Sequence, residues 1–388
     1  MSANHDFWDY LFSLIPLKRA NEERVETLLE RIYSDYLTKL LALSETDRVK
    51  IPNWELFCSE QKSICDAIVA TVSLMSQGMH SKAYSTLNPI LNKLSKYDAI
   101  YNRIPCTQLF RMRKFSEFER KYVKAEDLFH IPFNQRAIIK TQRFSAPGYP
   151  CLYLGTSIYG CWEEMGRPLF DLCMTSRLEL LKDQLFLFRL VFPERCFFEI
   201  NETTLLKLPL ILACMVNVED KEAIFKPEYI IPQLVTEWVI TTRCQEDGVY
   251  NSVPKYDGIM YSSIHSGEDI FNYPIDLMEN LCLPAFDASS PSFCKVLSEM
   301  FQITEPTCYE YEVLNRNKTI HEKTLERIKE YEHERSLIQS DARISKENKI
   351  EIFQWMDKQI NYCKSRFKFV EDSLSDSSIF PLKQINPK

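Results

Sequence analysis

The chain reads NEERVETLLERIYSDYLTKLLALSE from Asn21 to Glu45, and its apolar residues Val25, Leu28, Leu29, Ile32, Tyr36, Leu40 and Leu41 recur at three- and four-residue intervals. That spacing gathers apolar side chains on one stripe of an α-helix and leaves Glu and Lys on the other. Similar patterns predict helices over about Glu55–Met75 and Ser81–Leu94. Residues 1–105 are therefore expected to be a helical N-terminal domain, in its plainest form a small bundle without chemistry of its own.

From about Thr107 the texture changes. Short β-branched and aromatic runs replace the helical period, as in QLFLFRLVF (Gln184–Phe192) and CFFEI (Cys196–Ile200), and these predict strands. Residues 106–314 are expected to form a mixed α+β domain. Beyond it, KTIHEKTLERIKEYEHERSLIQ is dense in charge, with a sparse stripe of Leu325, Ile328, Tyr331 and Leu337 or Ile338. A second helix is expected from Lys346 to about Phe367, so that residues 315–370 form C-terminal helices. Residues 371–388 are polar enough to predict a flexible tail. A charged helix pair usually docks on its own protein; the other expectations are a homo-oligomer interface or an arm for a regulatory protein.

Composition narrows the function classes. The chain has 388 residues, 45% apolar and 26% charged, with a net charge of −7. These are values of a folded domain protein, and the acidic balance argues against a nucleic-acid partner. The 13 cysteines never form CxxC and have no zinc-site spacing, which predicts reduced, mostly buried thiols and no metal. No secretory segment is recognisable, and the strongest apolar run, Leu208–Val216, is too short to span a bilayer. A cytoplasmic protein without membrane contact is expected. The P-loop, the GxGxxG fingerprint, GxSxG and HExxH are all missing from the sequence. The six histidines have no ligand spacing, and His130 and His265, both in the mixed region, read as structural. Any chemistry must then rest on arginine, tyrosine, glutamate and serine.

Those residues concentrate in one place. Of eight glycines, seven lie between Gly148 and Gly267, and Gly148, Gly155, Gly160 and Gly166 fall in or just past TQRFSAPGYPCLYLGTSIYGCWEE (Thr141–Glu164). Around this stretch stand QLFRMRKF, whose Arg111 and Arg113 share a face if the segment is a strand, and KYDGIMYSSIHSG, which ends an apolar run with Tyr261, Ser262 and Ser263. Singly, each has a plain reading: surface ion pairs, a Pro–Gly turn, glutamates at a helix dipole, serines as caps.

In order along the chain, FRMR, HIPFNQR, QRFSAPGYPCLYLGTSIYGCWEE and YDGIMYSSIHSG resemble the RES domain family, named for its Arg, Glu and Ser positions. The likeness covers about Thr107 to Tyr273 and leaves out the helical termini. It implies an ADP-ribosyltransferase-like fold and an enzyme that consumes NAD as substrate. The implied activity is glycohydrolase or phosphorylase action at the nicotinamide–ribose bond, as in bacterial toxins and defence effectors that are held by a separate antitoxin. An ADP-ribosyltransferase acting on a protein, and a degenerate module kept as a scaffold, are the other two readings. Carried over by motif, Glu164, Ser263 and Tyr153 would be catalytic, and Arg111, Arg143, Tyr153 and Ser263 would bind NAD. Arg113 and Glu163 stand so near Arg111 and Glu164 that either could hold the role. The chemistry suits these residue types. Loss of nicotinamide builds positive charge on the ribose, which a carboxylate stabilises, and planar guanidinium groups match pyrophosphate oxygens. Small residues at Gly155 and Gly160 are expected to let backbone approach the ligand.

Overall fold

A computed structural model describes residues 3–20, 22–98, 103–104, 108–181, 185–192, 200, 202–244, 256–263, 275–286 and 292–382. Five helices come first: α1 (Ala3–Leu14), α2 (Val25–Leu41), α3 (Glu45–Arg48), α4 (Trp54–Ser76) and α5 (His80–Asp98). The periodic stripe of α2 is buried at Val25, Leu28, Leu29, Ile32, Tyr36 and Leu40, whereas Leu41 is 55% exposed. Tyr33 takes its place inside, and its hydroxyl donates to the Pro209 carbonyl.

The strands are β1 (Arg103–Ile104), β2 (Leu109–Lys114), β3 (Cys151–Gly155), β4 (Cys173–Leu180), β5 (Leu185–Leu190), β6 (Gly258–Ser262), β7 (Glu279–Pro284), β8 (Phe301–Thr304) and β9 (Ile379–Pro381). They form one sheet in the order β1-β5-β6-β7-β3-β2-β4-β8-β9. Only β5 and β6 run parallel, from Leu187↔Gly258 to Leu190↔Tyr261. Their crossover carries α7 (Glu202–Cys214) and α8 (Ile230–Cys244). This is the mixed architecture expected of an α+β RES domain. The strand expected over Cys196–Ile200 lies, except for Ile200, outside the described residues, as does His265.

Alternation along the strands feeds two cores. Ile259, Tyr261 and Cys282 face α7, α8 and the N-terminal helices, and one continuous cluster runs from Phe7 and Leu29 to Trp238 and Tyr256. Leu152, Leu154, Met260, Leu281 and Leu283 face the other way, with Leu128, Phe129, Leu297 and Phe301. The sheet has one weak seam. β2 and β3 share a single register pair, Phe110↔Gly155, whereas β2 and β4 are paired over six residues. Beside that seam lies α6 (Ile158–Glu164), packed on Phe110 and Met112.

The C-terminal helices are α10 (Tyr309–Ser340), α11 (Lys346–Cys363) and α12 (Arg366–Ser375); α9 (Lys295–Met300) precedes β8. The flexible tail expected from residue 371 is corrected here. Val370 and Leu374 of α12 are buried against α6, and β9 pairs with β8 through Thr304↔Ile379, Ile303↔Phe380 and Gln302↔Pro381. The polar run between them is a helix end followed by a turn, and Leu382 returns to the core at 3% exposure. A polar composition misleads where two or three apolar residues suffice to anchor a short edge strand. Only residues 383–388 of that segment lie outside the description. Among the described residues no helix is long and apolar enough to cross a membrane.

Candidate active site

α6 is held where the sheet opens. Its N-cap Ser157 accepts the Gly160 N–H at 2.8 Å and donates to the Leu277 carbonyl. Two glycines make the fit possible. A Cβ on Gly160 would stand 2.6 Å from the Leu277 oxygen, and one on Gly155 would stand 2.6 Å from Cys161 Sγ. Both glycines thus serve a close contact between protein elements. Gly148 and Gly166 have φ of +77° and +76°, left-handed values that favour glycine, in the Pro–Gly turn and just after α6.

The adjacent glutamates at the end of α6 have different surroundings. Glu163 is fully buried and pairs with Arg167 at 2.9 Å. Glu164 is half-buried and turns to the sheet, where Ser263 Oγ donates to its Oε2 at 2.9 Å. Tyr261 OH donates to Oε1 at 3.4 Å, and Asn280 Nδ2 reaches Oε2 at 3.5 Å. Three donors, from β6, the residue just after it, and β7, thus converge on one carboxylate. Burial and the Glu164 charge push the Tyr261 phenol well above its ordinary range, so it stays a donor. The two serines also divide. Ser262 Oγ accepts the Phe192 N–H at 2.9 Å, a strand-end contact, and Ser263 faces Glu164.

Arg143 completes the group. Its guanidinium lies over the Tyr261 ring, 5.3 Å from the centroid, and Nη1 donates to the Ser262 carbonyl at 3.2 Å. Arg143 is 4% exposed, yet its Nε and Nη2 have no hydrogen-bond partner among the described residues. Tyr153 stands nearby on β3, donating to Ser145 Oγ at 3.1 Å, and burial raises its phenol as well. Tyr229 lies within electrostatic reach of both Arg143 and Glu164.

The seam holds Arg111. It is partly buried, and Nη1 donates to the Tyr153 carbonyl at 2.9 Å, across the point where β2 leaves β3. Its Nε is buried without a partner among the described residues, and burial lowers its pKa. Arg113 instead donates to the Phe129 carbonyl at 2.8 Å, with its pKa lowered to about 9, by burial first and then by the Arg111 charge. So Glu164, Ser263 and Arg143 gather around Tyr261, while Arg111 and Tyr153 meet at the adjoining seam. Of the neighbouring aromatics, Tyr159 is core, and Trp162 donates through Nε1 to the Pro168 carbonyl.

Sequence reasoning missed Asn280. Its signal was present: a lone amide in the apolar run NLCLPAF (Asn280–Phe286), buried at 3% exposure. An uncharged polar residue inside a central strand must find a partner, and here the partner is Glu164. Other buried polar groups have structural roles. Asp257 pairs with Arg243 and accepts the Phe186 N–H at 3.0 Å. His130 binds through both ring nitrogens, accepting the Cys294 N–H at Nε2 and meeting the Ile131 carbonyl at Nδ1, each at 2.8 Å.

The family model for the RES domain matches residues 109–293, which contain every residue of the site. A curated Bacillus subtilis (strain 168) protein, named "Putative toxin YopC", is 34% identical over 325 residues, 76% of this chain and 68% of that protein. The chain belongs to the RES domain family. No solved structure matches it significantly.

Proposed function

We propose that the protein cleaves the nicotinamide–ribose bond of NAD, with Glu164 as the catalytic carboxylate, and that it acts as a toxin. The observation that carries this reading is that Glu164, held by Ser263 Oγ, and buried Arg143, two of whose donors have no partner among the described residues, both border Tyr261. A buried guanidinium with free N–H groups is costly unless an anion meets it. The NAD pyrophosphate supplies that anion in a shape that matches the planar fork. Arg111 offers a second cation at the seam.

In the reaction, the C1′–nitrogen bond breaks and its electron pair leaves with nicotinamide, which departs neutral. The positive charge that develops on the ribose is stabilised by Glu164, which Ser263, Tyr261 and Asn280 hold in place. Attack by water then forms the C1′–oxygen bond and releases a proton; phosphate or a protein side chain could replace the water. Tyr153 would position the ring or the ribose from β3. The toxin reading is supported by the printed name of the Bacillus subtilis relative. A toxin of this class would call for an inhibitory partner protein in the same cell.

The test is incubation of purified protein with NAD, with and without phosphate and candidate acceptor proteins, following nicotinamide by chromatography. Release without labelled protein means hydrolysis or phosphorolysis, and labelled protein means transfer. No release under any condition would overturn the proposal and leave a scaffold role.

A further inference from the structure

The matched RES segment ends at residue 293, and yet one residue far beyond it reaches the catalytic helix. Glu371 of α12 accepts the Ile158 N–H, the first free amide of α6, at 2.8 Å through Oε1, although the two lie 213 residues apart. The Tyr362 hydroxyl donates to the same oxygen, and Lys368 Nζ pairs with Oε2 at 3.2 Å. Glu371 is 4% exposed. Around it, Phe367 meets Tyr159 edge-on and Trp162 at a tilt, with ring centroids 5.3 and 5.2 Å apart.

A helix start leaves its first amides unsatisfied, and they need partners when buried. In α6 the local Ser157 meets Gly160 N–H, and Glu371 supplies what the local sequence does not. α6 has only seven residues, so it moves as one body, and a shift at Ile158 is felt at Glu164. We infer that Glu371 is a positioning residue: through Ile158 it fixes α6 so that Glu164 meets Ser263, and the C-terminal helices are thereby part of the catalytic unit. The inference rests on the NAD-cleaving reading for its kinetic consequence, and its structural content stands without it.

Two measurements test it. The first is hydrogen exchange of the peptide spanning Ile158–Glu164 in the full chain. Glu371→Ala should speed that exchange, while Glu371→Gln, which keeps an acceptor for Ile158 N–H, should stay near wild type. The second is steady-state NAD cleavage per folded molecule. Glu371→Ala should lower kcat by on the order of tenfold with little change in KM, as a small misplacement of a catalytic group does, and Gln should restore most of the rate. Tyr362→Phe keeps the packing and should change both readouts in the same direction, more weakly, and it serves if the Ala variant does not fold. Unchanged exchange and unchanged kcat in Glu371→Ala or Tyr362→Phe would overturn the inference. If wild type releases no nicotinamide, the functional reading fails, and the exchange experiment still decides the clamp.

Discussion

Two buried corners of the molecule, on opposite faces of the sheet, treat polar groups in opposite ways. At the His130 corner every nitrogen of the imidazole is used, by Cys294 N–H and the Ile131 carbonyl, and aromatic rings of Phe129, Phe133 and Phe293 enclose it. Beside the Tyr261 ring, Arg143 is also buried, and two of its donors have no partner among the described residues. A satisfied buried group is finished by the fold. An unsatisfied one calls for a reason, whether strain, an ordered water or a functional contact. The two glutamates differ in burial and in partners: Glu163 is fully buried beside Arg167, and half-buried Glu164 faces Ser263.

The sharpest way to break this contrast is to neutralise each glutamate. Glu164→Gln should cut nicotinamide release by roughly 10²–10⁴-fold with the fold intact. Glu163→Gln should lower the melting temperature while turnover per folded molecule changes by less than about threefold, the mark of a structural pair. The opposite assignment of effects would move the catalytic role to Glu163. Next in size is Arg143→Lys, which loses the planar fork; KM for NAD should rise roughly 10–100-fold by steady-state kinetics. A KM within twofold of wild type would mean that Arg143 only supports the Tyr261 ring. Asn280→Ala should reduce kcat by about tenfold, the scale of one hydrogen bond to a charged group.

The smallest effect on turnover belongs to His130→Gln, which should leave the rate per folded molecule unchanged. Its effect is on pH dependence instead. Burial holds the His130 pKa at about 4, against 6.5 for an ordinary imidazole, and the Arg113 and Arg111 charges add to that shift. The unfolded chain therefore takes up this proton first as pH falls. The stability that neutral His130 provides is complete above about pH 6.5 and lost progressively toward pH 4, by roughly 1–3 kcal/mol. Denaturant titrations across that window should show a slope in wild type that is reduced in the variant.

Much of this was legible in the chain itself. The stripe of α2, the strand at Leu185–Leu190 and the order arginine, tyrosine, glutamate, serine are all local patterns, and local patterns survive folding. Asn280 was readable in principle, because one amide interrupts an apolar strand. Glu371 was not: nothing near it announces an amide 213 residues away, and its own surroundings read as a polar tail. β9 was hidden for a related reason, since a three-residue edge strand is defined by its partner β8 more than by its own composition. What sequence conceals is long-range satisfaction of a few polar groups, and the site depends on it at both ends of α6.

The parallel join of β5 and β6 also makes the site depend on long-range pairing. Leu187 cannot meet Gly258 until the whole crossover with α7 and α8 has folded back on the sheet, and pairings of such sequence separation are slow to form. Ser263 sits one residue past β6, and Glu164 precedes it by 99 residues. The N-terminal helices share one core with α7, Trp238 and Tyr256, so their burial is completed together with that crossover. The approach of Ser263 to Glu164 is thus tied to long-range closure of the sheet and not to any local segment.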